Sequence, residues 1–128
     1  MNLAMAATYD PSDTPEEEIR LPFDLETLEM DPQRWQAWVH HDPLNLVGSH
    51  VEQLSSLRLL YLDVGSRDQY NIQFGTRAFV RRLEKLAIKH HFEEFDGTHS
   101  GLDWRLDISL PLLAKALDGS STADAILS

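Results

Sequence analysis

Two residues of this 128-residue chain have the types and order needed for acid–base chemistry: Asp68 and, 31 positions later, His99. A carboxylate that hydrogen-bonds a histidine holds the ring in one tautomer and stabilises its cation, so that the histidine can take a proton from a hydroxyl nucleophile. Asp68 follows an apolar segment and a turn, and His99 follows a second apolar segment. This layout predicts the acid and the base of a Ser/His/Asp relay.

The nucleophile of such a relay is not apparent in the sequence. Serine hydrolases of the α/β type present the serine in a Gly-x-Ser-x-Gly turn, and no such segment occurs here. The chain also has no cysteine, which excludes cysteine nucleophiles, disulfides and thiolate zinc sites. We therefore expect any serine to come from another polypeptide or from a longer product.

The elements that position this pair form a predicted βαβ unit. Residues 59–62 are four consecutive apolar residues and predict a strand covered on both faces. Apolar residues at helical spacing predict a helix over residues 71–88, and residues 92–95 predict a second, short strand. A strand, a helix and a strand in this order predict two parallel strands joined by a crossover.

The segment before this unit predicts short helices after an irregular start. Residues 1–30 contain several prolines and are expected to be irregular. Asp31-Pro32 and Asp42-Pro43 each have the residues that begin a helix, and Ser49 and Glu52 have the spacing of a capping box.

The segment after the unit predicts two further helices and a tail. A short helix is expected over residues 104–108, and Ser109 is expected to cap a last helix with Pro111 in its first turn. Residues 119–128 are expected to fray. With only two predicted strands, the sheet needs further cover, so we expect a homo-oligomer or a complementing chain.

The central region resembles a branch of the α/β-hydrolases that contains esterase D (S-formylglutathione hydrolase) and enterochelin esterase. The segment LDVGSRDQY at residues 62–70 is similar to the strand and acid-bearing turn of that family, and FDGTHS at residues 95–100 is similar to its histidine loop. The resemblance is good over residues 57–117 and weaker over residues 1–56.

The resemblance implies a partial α/β-hydrolase fold and a serine-esterase activity without a cofactor. Asp68 would be the triad acid, His99 the triad base and Asp63 a structural acid at the end of the strand. Residues 1–56 would form a lid-like helical segment, residues 57–118 the C-terminal part of the hydrolase domain and residues 119–128 a flexible tail. The substrate implied is a small-molecule ester.

Other interpretations of these residues stay open. Asp68 precedes a predicted helix and can serve as its N-cap, and the whole chain can be a non-catalytic binding or oligomerisation module. The pair His90 and His91 does not predict a metal site, because adjacent residues of a strand point to opposite faces. Trp35 and Trp38 can line an acyl pocket or simply pack a helix.

The composition limits the classes of partner. The formal net charge is −10, from 21 acidic and 11 basic residues, so the chain is repelled by nucleic-acid phosphates and anionic membranes. No run approaches the roughly 20 apolar residues of a membrane span, and no secretory signal is apparent. We expect a soluble cytoplasmic protein.

Overall fold

The computed structural model describes residues 2–12, 14 and 19–119 of the chain. The chain divides into two compact units, one before and one after the Leu46–Val47 bond. The division predicted from the family resemblance, at residues 56 and 118, stays a prediction. Of the predicted tail, residues 120–128 lie outside the described part of the chain.

The first unit is helical. It contains α1 (Asn2–Tyr9), α2 (Pro32–His40) and α3 (Pro43–Leu46). The expectation that residues 1–30 are irregular is wrong for α1, whose sequence, NLAMAATY, is rich in alanine, the strongest helix former. An isolated antiparallel bridge between Phe23 and Met30 closes the segment before α2.

Both Asp-Pro helix starts predicted in this unit are confirmed. The carboxylate of Asp31 accepts hydrogen bonds from the backbone N–H groups of Gln33 and Arg34. The carboxylate of Asp42 accepts one from Leu44 in the same way, at the start of α3. Each aspartate satisfies N–H groups that have no partner within the helix, while the following proline has no N–H to satisfy.

The second unit contains the predicted βαβ arrangement. A 3-10 turn (Val47–Ser49) and α4 (Val51–Ser55) precede β1 (Tyr61–Gly65), α5 (Ile72–Lys85) and β2 (His91–Phe95). A second 3-10 turn (Asp103–Arg105) leads into α6 (Leu106–Leu117). The two strands pair in parallel, with Tyr61 opposite His91 and Gly65 opposite Phe95. The protein is thus a mixed α/β chain with a two-stranded parallel sheet.

The first strand lies two residues later than the apolar run predicts. It spans Tyr61–Gly65 rather than residues 59–62, so that Asp63 lies in the middle of β1 and not at its end. The side chains of β1 alternate, and Leu62 packs on the core cluster while Asp63 bonds Arg105 on the other side. The expectation of two apolar faces is therefore wrong for one of them.

A small hydrophobic core supports the sheet. Val47, Leu83 and Ile88 are almost completely buried, and Leu62 and Phe79 are among the partly buried residues that pack on them. Leu83 and Phe79 belong to α5, so this helix covers the apolar side of the sheet. Full burial of a leucine stabilises a fold by about 1.5–3 kcal/mol, which makes α5 the main support of β1.

Several predicted helix ends differ from the structure. The helix predicted over residues 71–88 begins at Ile72 and ends at Lys85, because Asn71 and Ala87 adopt left-handed backbone angles (φ 61° and 54°). The predicted capping box is absent, since α4 begins after His50 and has no side-chain cap.

The sequence predicts two C-terminal helices, whereas the structure has a single α-helix there. Leu106–Leu117 is a continuous helix, with Ser109 inside it rather than at its start and Pro111 beyond its first turn. Within the described residues, no helix is long and apolar enough to span a membrane.

Candidate active site

The candidate site lies where the two strands end. The loops after β1 and β2 are joined by two backbone hydrogen bonds, from the Ser66 N–H to the Phe95 oxygen (2.8 Å) and from the Arg67 N–H to the Gly97 oxygen (2.9 Å). Gly65 makes this approach possible, because a Cβ atom there would lie 2.5 Å from the Gly97 oxygen. Parallel strands bring their carboxyl ends to the same edge, and these bonds hold the two loops side by side.

The structure brings Asp68 and His99 together at this edge. The Nδ1 atom of His99 lies 2.9 Å from the Oδ2 atom of Asp68, within hydrogen-bonding distance. Asp68 is buried, with 5% of its surface exposed, whereas the His99 side chain is 47% exposed. One nitrogen of the ring is therefore held by a fixed carboxylate while the ring itself faces solvent.

The Asp68 carboxylate has a second partner on its own loop. Its Oδ1 atom accepts the backbone N–H of Tyr70 at 2.8 Å. Residue Asn71 precedes α5 as its N-cap and provides no side-chain cap. Asp68 thus stabilises the turn before α5 and also holds His99, so the two interpretations of this residue are compatible.

These contacts determine the charge of Asp68. Burial acts to raise its pKa, but the hydrogen bonds from His99 and from the backbone N–H of Tyr70 favour the ionised form. The net result is a pKa below the ordinary value. The carboxylate is ionised at neutral pH, which is the state that can hold the Nδ1–H tautomer of His99.

Two neighbours of Asp68 position the histidine loop. The backbone N–H of His99 donates to the Oε1 atom of Gln69 at 3.1 Å. The ring of Tyr70 meets the His99 ring edge to face, with centroids 5.1 Å apart. Both residues belong to the segment at 62–70 that carries the family resemblance, but no role was predicted for either of them. Their adjacency to Asp68 is the signal that could have found them.

A cleft of about 440 Å³ adjoins the pair. Its walls include Asp68 and His99 on one side and apolar residues from α5, α6 and the loop before it. These apolar residues are Ile72, Leu102, Leu106 and Leu113. Pockets of about 300–1,000 Å³ with apolar walls and a few polar groups are typical of small-molecule sites.

Within the described residues, no hydroxyl or other nucleophile hydrogen-bonds the His99 ring. Among the described residues, Asp68 is the one side chain that hydrogen-bonds the His99 ring. Ser109 lines the same cleft but makes no hydrogen bond to that ring in the described structure. The geometry therefore contains an acid and a base, without a hydroxyl positioned for attack.

Arg105 forms a second polar cluster in the cleft that was missed at the sequence level. Its buried guanidinium donates to Asp63 (Nε to Oδ2, 2.8 Å), to Glu93 (Nη2 to Oε2, 2.6 Å) and to the Tyr61 hydroxyl (2.8 Å). It also lies over the Phe95 ring, 4.5 Å from the centroid. Asp63 is therefore part of a structural ion pair, which is the role that the family resemblance implies for it.

The charges of this cluster support one another. The hydrogen bond from Arg105 outweighs burial and lowers the pKa of Glu93, and its bond to Glu93 raises the pKa of Arg105. Burial raises the pKa of the Tyr61 hydroxyl, so that this group stays protonated. The cluster links β1 and β2 to the turn before α6.

The remaining candidate residues lie elsewhere. His91 stacks on Tyr61 (centroids 5.2 Å apart), whereas the Nδ1 atom of His90 bonds the Ile88 oxygen. In the part of the chain that the structure describes, no three His, Asp or Glu side chains are grouped to hold a metal ion. Trp35 and Trp38 belong to α2 in the first unit.

No protein-family model matches the chain, and no match was found among curated proteins. What indicates a function is therefore the Asp68–His99 geometry on a mixed α/β chain, together with the sequence resemblance.

Proposed function

We propose that this chain carries the acid and base of a serine-esterase-type relay, on part of an α/β-hydrolase fold. The observation that carries the proposal is the 2.9 Å contact between the buried Asp68 carboxylate and the Nδ1 atom of His99. A buried, ionised carboxylate on one ring nitrogen leaves the other, Nε2, as the basic atom that faces out.

The sequence resemblance supports the same assignment. Segments 62–70 and 95–100, which resemble the acid and histidine loops of the esterase D and enterochelin esterase branch, are the two loops that contribute Asp68 and His99. Asp63, which the resemblance makes a structural acid, bonds Arg105. The order of acid before histidine is that of α/β-hydrolases.

In the proposed mechanism, a complementing polypeptide supplies the serine. The Nε2 atom of His99 takes the serine proton as the hydroxyl oxygen attacks the carbonyl carbon of the ester. The resulting imidazolium is stabilised by Asp68 and then gives its proton to the leaving alcohol. Water, deprotonated by the same nitrogen, hydrolyses the acyl-enzyme and restores the serine. The substrate proposed is a small-molecule ester held in the adjoining cleft.

Hydrolysis of p-nitrophenyl acetate by the purified chain tests the His99 base directly. This ester has a good leaving group, so water can attack it without a serine nucleophile. A histidine that is held by a carboxylate should accelerate the attack by taking a proton from that water. We expect His99→Ala and Asp68→Asn to lower the rate by about tenfold or more, at the low end of general-base effects.

His40→Ala is the matched control, because His40 is an exposed histidine of α2 and lies outside the site. Its rate should equal that of the unaltered chain. If His99→Ala and His40→Ala retain the same rate as the unaltered chain, His99 is not a base and the proposal fails. A fluorophosphonate probe should leave Ser66, Ser100 and Ser109 unlabelled, and labelling of any of them would show a nucleophile within the chain.

A non-catalytic binding or oligomerisation module is the second candidate. It is favoured by one observation: the His99 ring has no hydroxyl partner among the described residues. An ester-hydrolysis rate that is unchanged by His99→Ala would select this alternative. For either function we propose a cytoplasmic protein that acts as a homo-oligomer or with a complementing chain.

A further inference from the structure

The first unit of the chain carries most of its negative charge. Residues 1–46 contain ten acidic residues against two arginines, a net charge of −8 out of the −10 of the whole chain. Such an excess creates a negative potential that concentrates cations near the surface. A ligand that binds this unit is therefore expected to be cationic.

This unit also contains a cleft of about 260 Å³ lined by aromatic rings. We call it the aromatic cleft. Its walls carry the rings of Tyr9, Trp35, Trp38 and His41, the side chains of Met5, Val39 and Pro43, and one carboxylate, Asp42. Its volume is below the about 300–1,000 Å³ of pockets for drug-sized ligands, so it suits a small head group.

The rings of the aromatic cleft include one stacked pair and two angled contacts. The Tyr9 and His41 rings stack, with centroids 5.2 Å apart and planes 18° from parallel. The Tyr9 ring meets the Trp38 ring at 73° with centroids 6.0 Å apart, and the Trp35 ring is tilted by 38° from that of Trp38 at 6.3 Å. Trp38 is buried and holds the back of the group, whereas Trp35 is 46% exposed. Several rings that differ in orientation can surround one compact ligand.

Asp42 is the single charged group of the aromatic cleft. Its Oδ1 atom accepts the backbone N–H of Leu44 at 2.8 Å, which fixes the carboxylate at the start of α3. Within the described residues, no lysine, arginine or histidine forms an ion pair with Asp42. Arg34 pairs instead with Asp10 and Asp31. The negative charge of Asp42 is therefore not neutralised by the chain itself.

We propose that the aromatic cleft binds a quaternary ammonium group, such as a trimethylammonium head. Aromatic faces attract such a cation through the quadrupole of each ring, and tryptophan is the most effective ring. A trimethylammonium group has no N–H to satisfy, so it suits walls that offer few acceptors, whereas a primary ammonium would leave donors without partners. Asp42 adds the countercharge.

The proposal is tested by measuring the binding of choline to the full chain. The control ligand is 3,3-dimethyl-1-butanol, which has the shape of choline but no charge. Trp104 belongs to the second unit, and Trp104→Phe removes its fluorescence so that the signal reports Trp35 and Trp38. We expect saturable quenching by choline and about tenfold weaker binding of the neutral alcohol. Equal binding of both ligands, or no saturation by choline, overturns the proposal.

Two variants locate the site. Trp35→Ala removes a half-exposed ring, and Asp42→Asn removes the charge while an asparagine can still cap α3. Each should weaken choline binding by about tenfold, and unchanged binding in both would place the ligand elsewhere and overturn the proposal. If circular dichroism shows that Trp35→Ala does not fold, the proposal is tested by the binding of choline and of its neutral analogue to the chain that keeps Trp35 and Trp38.

A peptide that contains trimethyllysine separates two sources of the head group. Tighter binding of this peptide than of choline would identify the ligand as a methylated protein segment, and tighter binding of choline a free small molecule. Both results support the quaternary ammonium site. An unmethylated peptide that binds as well as the methylated one would overturn it, because the cleft would then recognise the peptide and not the ammonium group.

Discussion

At the scale of single residues, the site depends on Asp68, whose two carboxylate oxygens bond two different loops. Oδ1 of Asp68 accepts the Tyr70 backbone N–H of its own loop, and Oδ2 faces Nδ1 of His99 from the next loop. The carboxylate therefore fixes the turn before α5 and orients the histidine at the same time. A substitution of Asp68 should therefore change both the stability of the loop and the orientation of His99.

The first prediction concerns the pH dependence of this link. The pKa of Asp68 in the folded chain lies below its ordinary value of 3.8. A lowered pKa means that the ionised carboxylate stabilises the fold above about pH 4, and that this stabilisation is lost as the pH falls through the lowered pKa. Asp68→Asn should therefore lower the urea midpoint at pH 7, and the difference from the unaltered chain should shrink below about pH 4.

Asp96→Asn makes the same chemical change at an exposed carboxylate, which pairs with Arg67 on the surface. It should leave the urea midpoint nearly unchanged at both pH values, because exposed ion pairs contribute little. A constant difference between Asp68→Asn and the unaltered chain at every pH would contradict the role given to the Asp68 charge.

At the scale of elements, Arg105 connects pieces that the backbone does not join. Its guanidinium bonds Asp63 of β1 and Glu93 of β2 from the turn before α6. The Phe95 and Trp104 rings meet edge to face, 5.4 Å apart, and both lie near the guanidinium carbon, with centroids at 4.5 and 4.8 Å. This contact ties the turn before α6 to the polar side of the sheet.

The second prediction is that Arg105→Met destabilises the fold by about 3 kcal/mol. The variant leaves two carboxylates close together without their cation, and breaking a buried pair from one side costs about 3–5 kcal/mol. The lower figure applies because the Glu93 side chain is 39% exposed. The measurement is the free energy of unfolding in urea.

Arg67→Met is the control for this change, since the Arg67–Asp96 pair is exposed on both sides. Its free energy of unfolding should change by no more than about 0.5 kcal/mol. Equal losses in the two variants would show that the Arg105 cluster has no special stabilising role.

At the scale of the whole molecule, one helix face has no cover among the described residues. Four leucines follow one another along α6 at spacings of four, three and four, which places them on one face, and they are 41–73% exposed: Leu106, Leu110, Leu113 and Leu117. Leu106 and Leu113 also line the cleft beside His99, whereas Leu110 and Leu117 do not. In the described part of the chain, the sheet has two strands. An exposed apolar stripe of this kind marks an interaction surface.

The third prediction is that the chain self-associates through this stripe. Leu110→Glu with Leu117→Glu should shift the sedimentation coefficient to that of a monomer, because each glutamate would have to be buried as a charge. Association should strengthen in high salt, which screens the repulsion between copies of net charge −10.

The matched control is Leu25→Glu with Leu28→Glu, two exposed leucines of the first unit. This variant makes the same change in charge and should associate like the unaltered chain. A monomer at every protein concentration and salt concentration would show that the stripe has no partner in a second copy.

Local sequence patterns were sufficient for several features of the fold. Asp-Pro pairs predicted the starts of α2 and α3, because a cap and its helix lie within three residues. The alternation of apolar run, amphipathic helix and apolar run predicted two parallel strands joined by a helix. The closeness of Asp68 and His99 follows from this prediction, since the carboxyl ends of parallel strands meet at one edge.

Other features depended on contacts between distant residues. Arg105 lies 42 positions from Asp63 and 12 from Glu93, so no local pattern identifies it. The predicted strand began too early because Leu59 and Leu60 have the apolar character of strand residues. The residues that pair with β2 are Tyr61–Gly65, and this pairing is not visible in the local sequence.

The sequence by itself determined which residues could form an acid–base pair, and in which order. Only the tertiary structure decided that the carboxylate is buried, that Gln69 and Tyr70 position the histidine loop, and that no hydroxyl meets the ring within the described residues. The physical reason is that types and spacing are local properties, whereas burial and hydrogen-bond partners depend on which loops the sheet brings together.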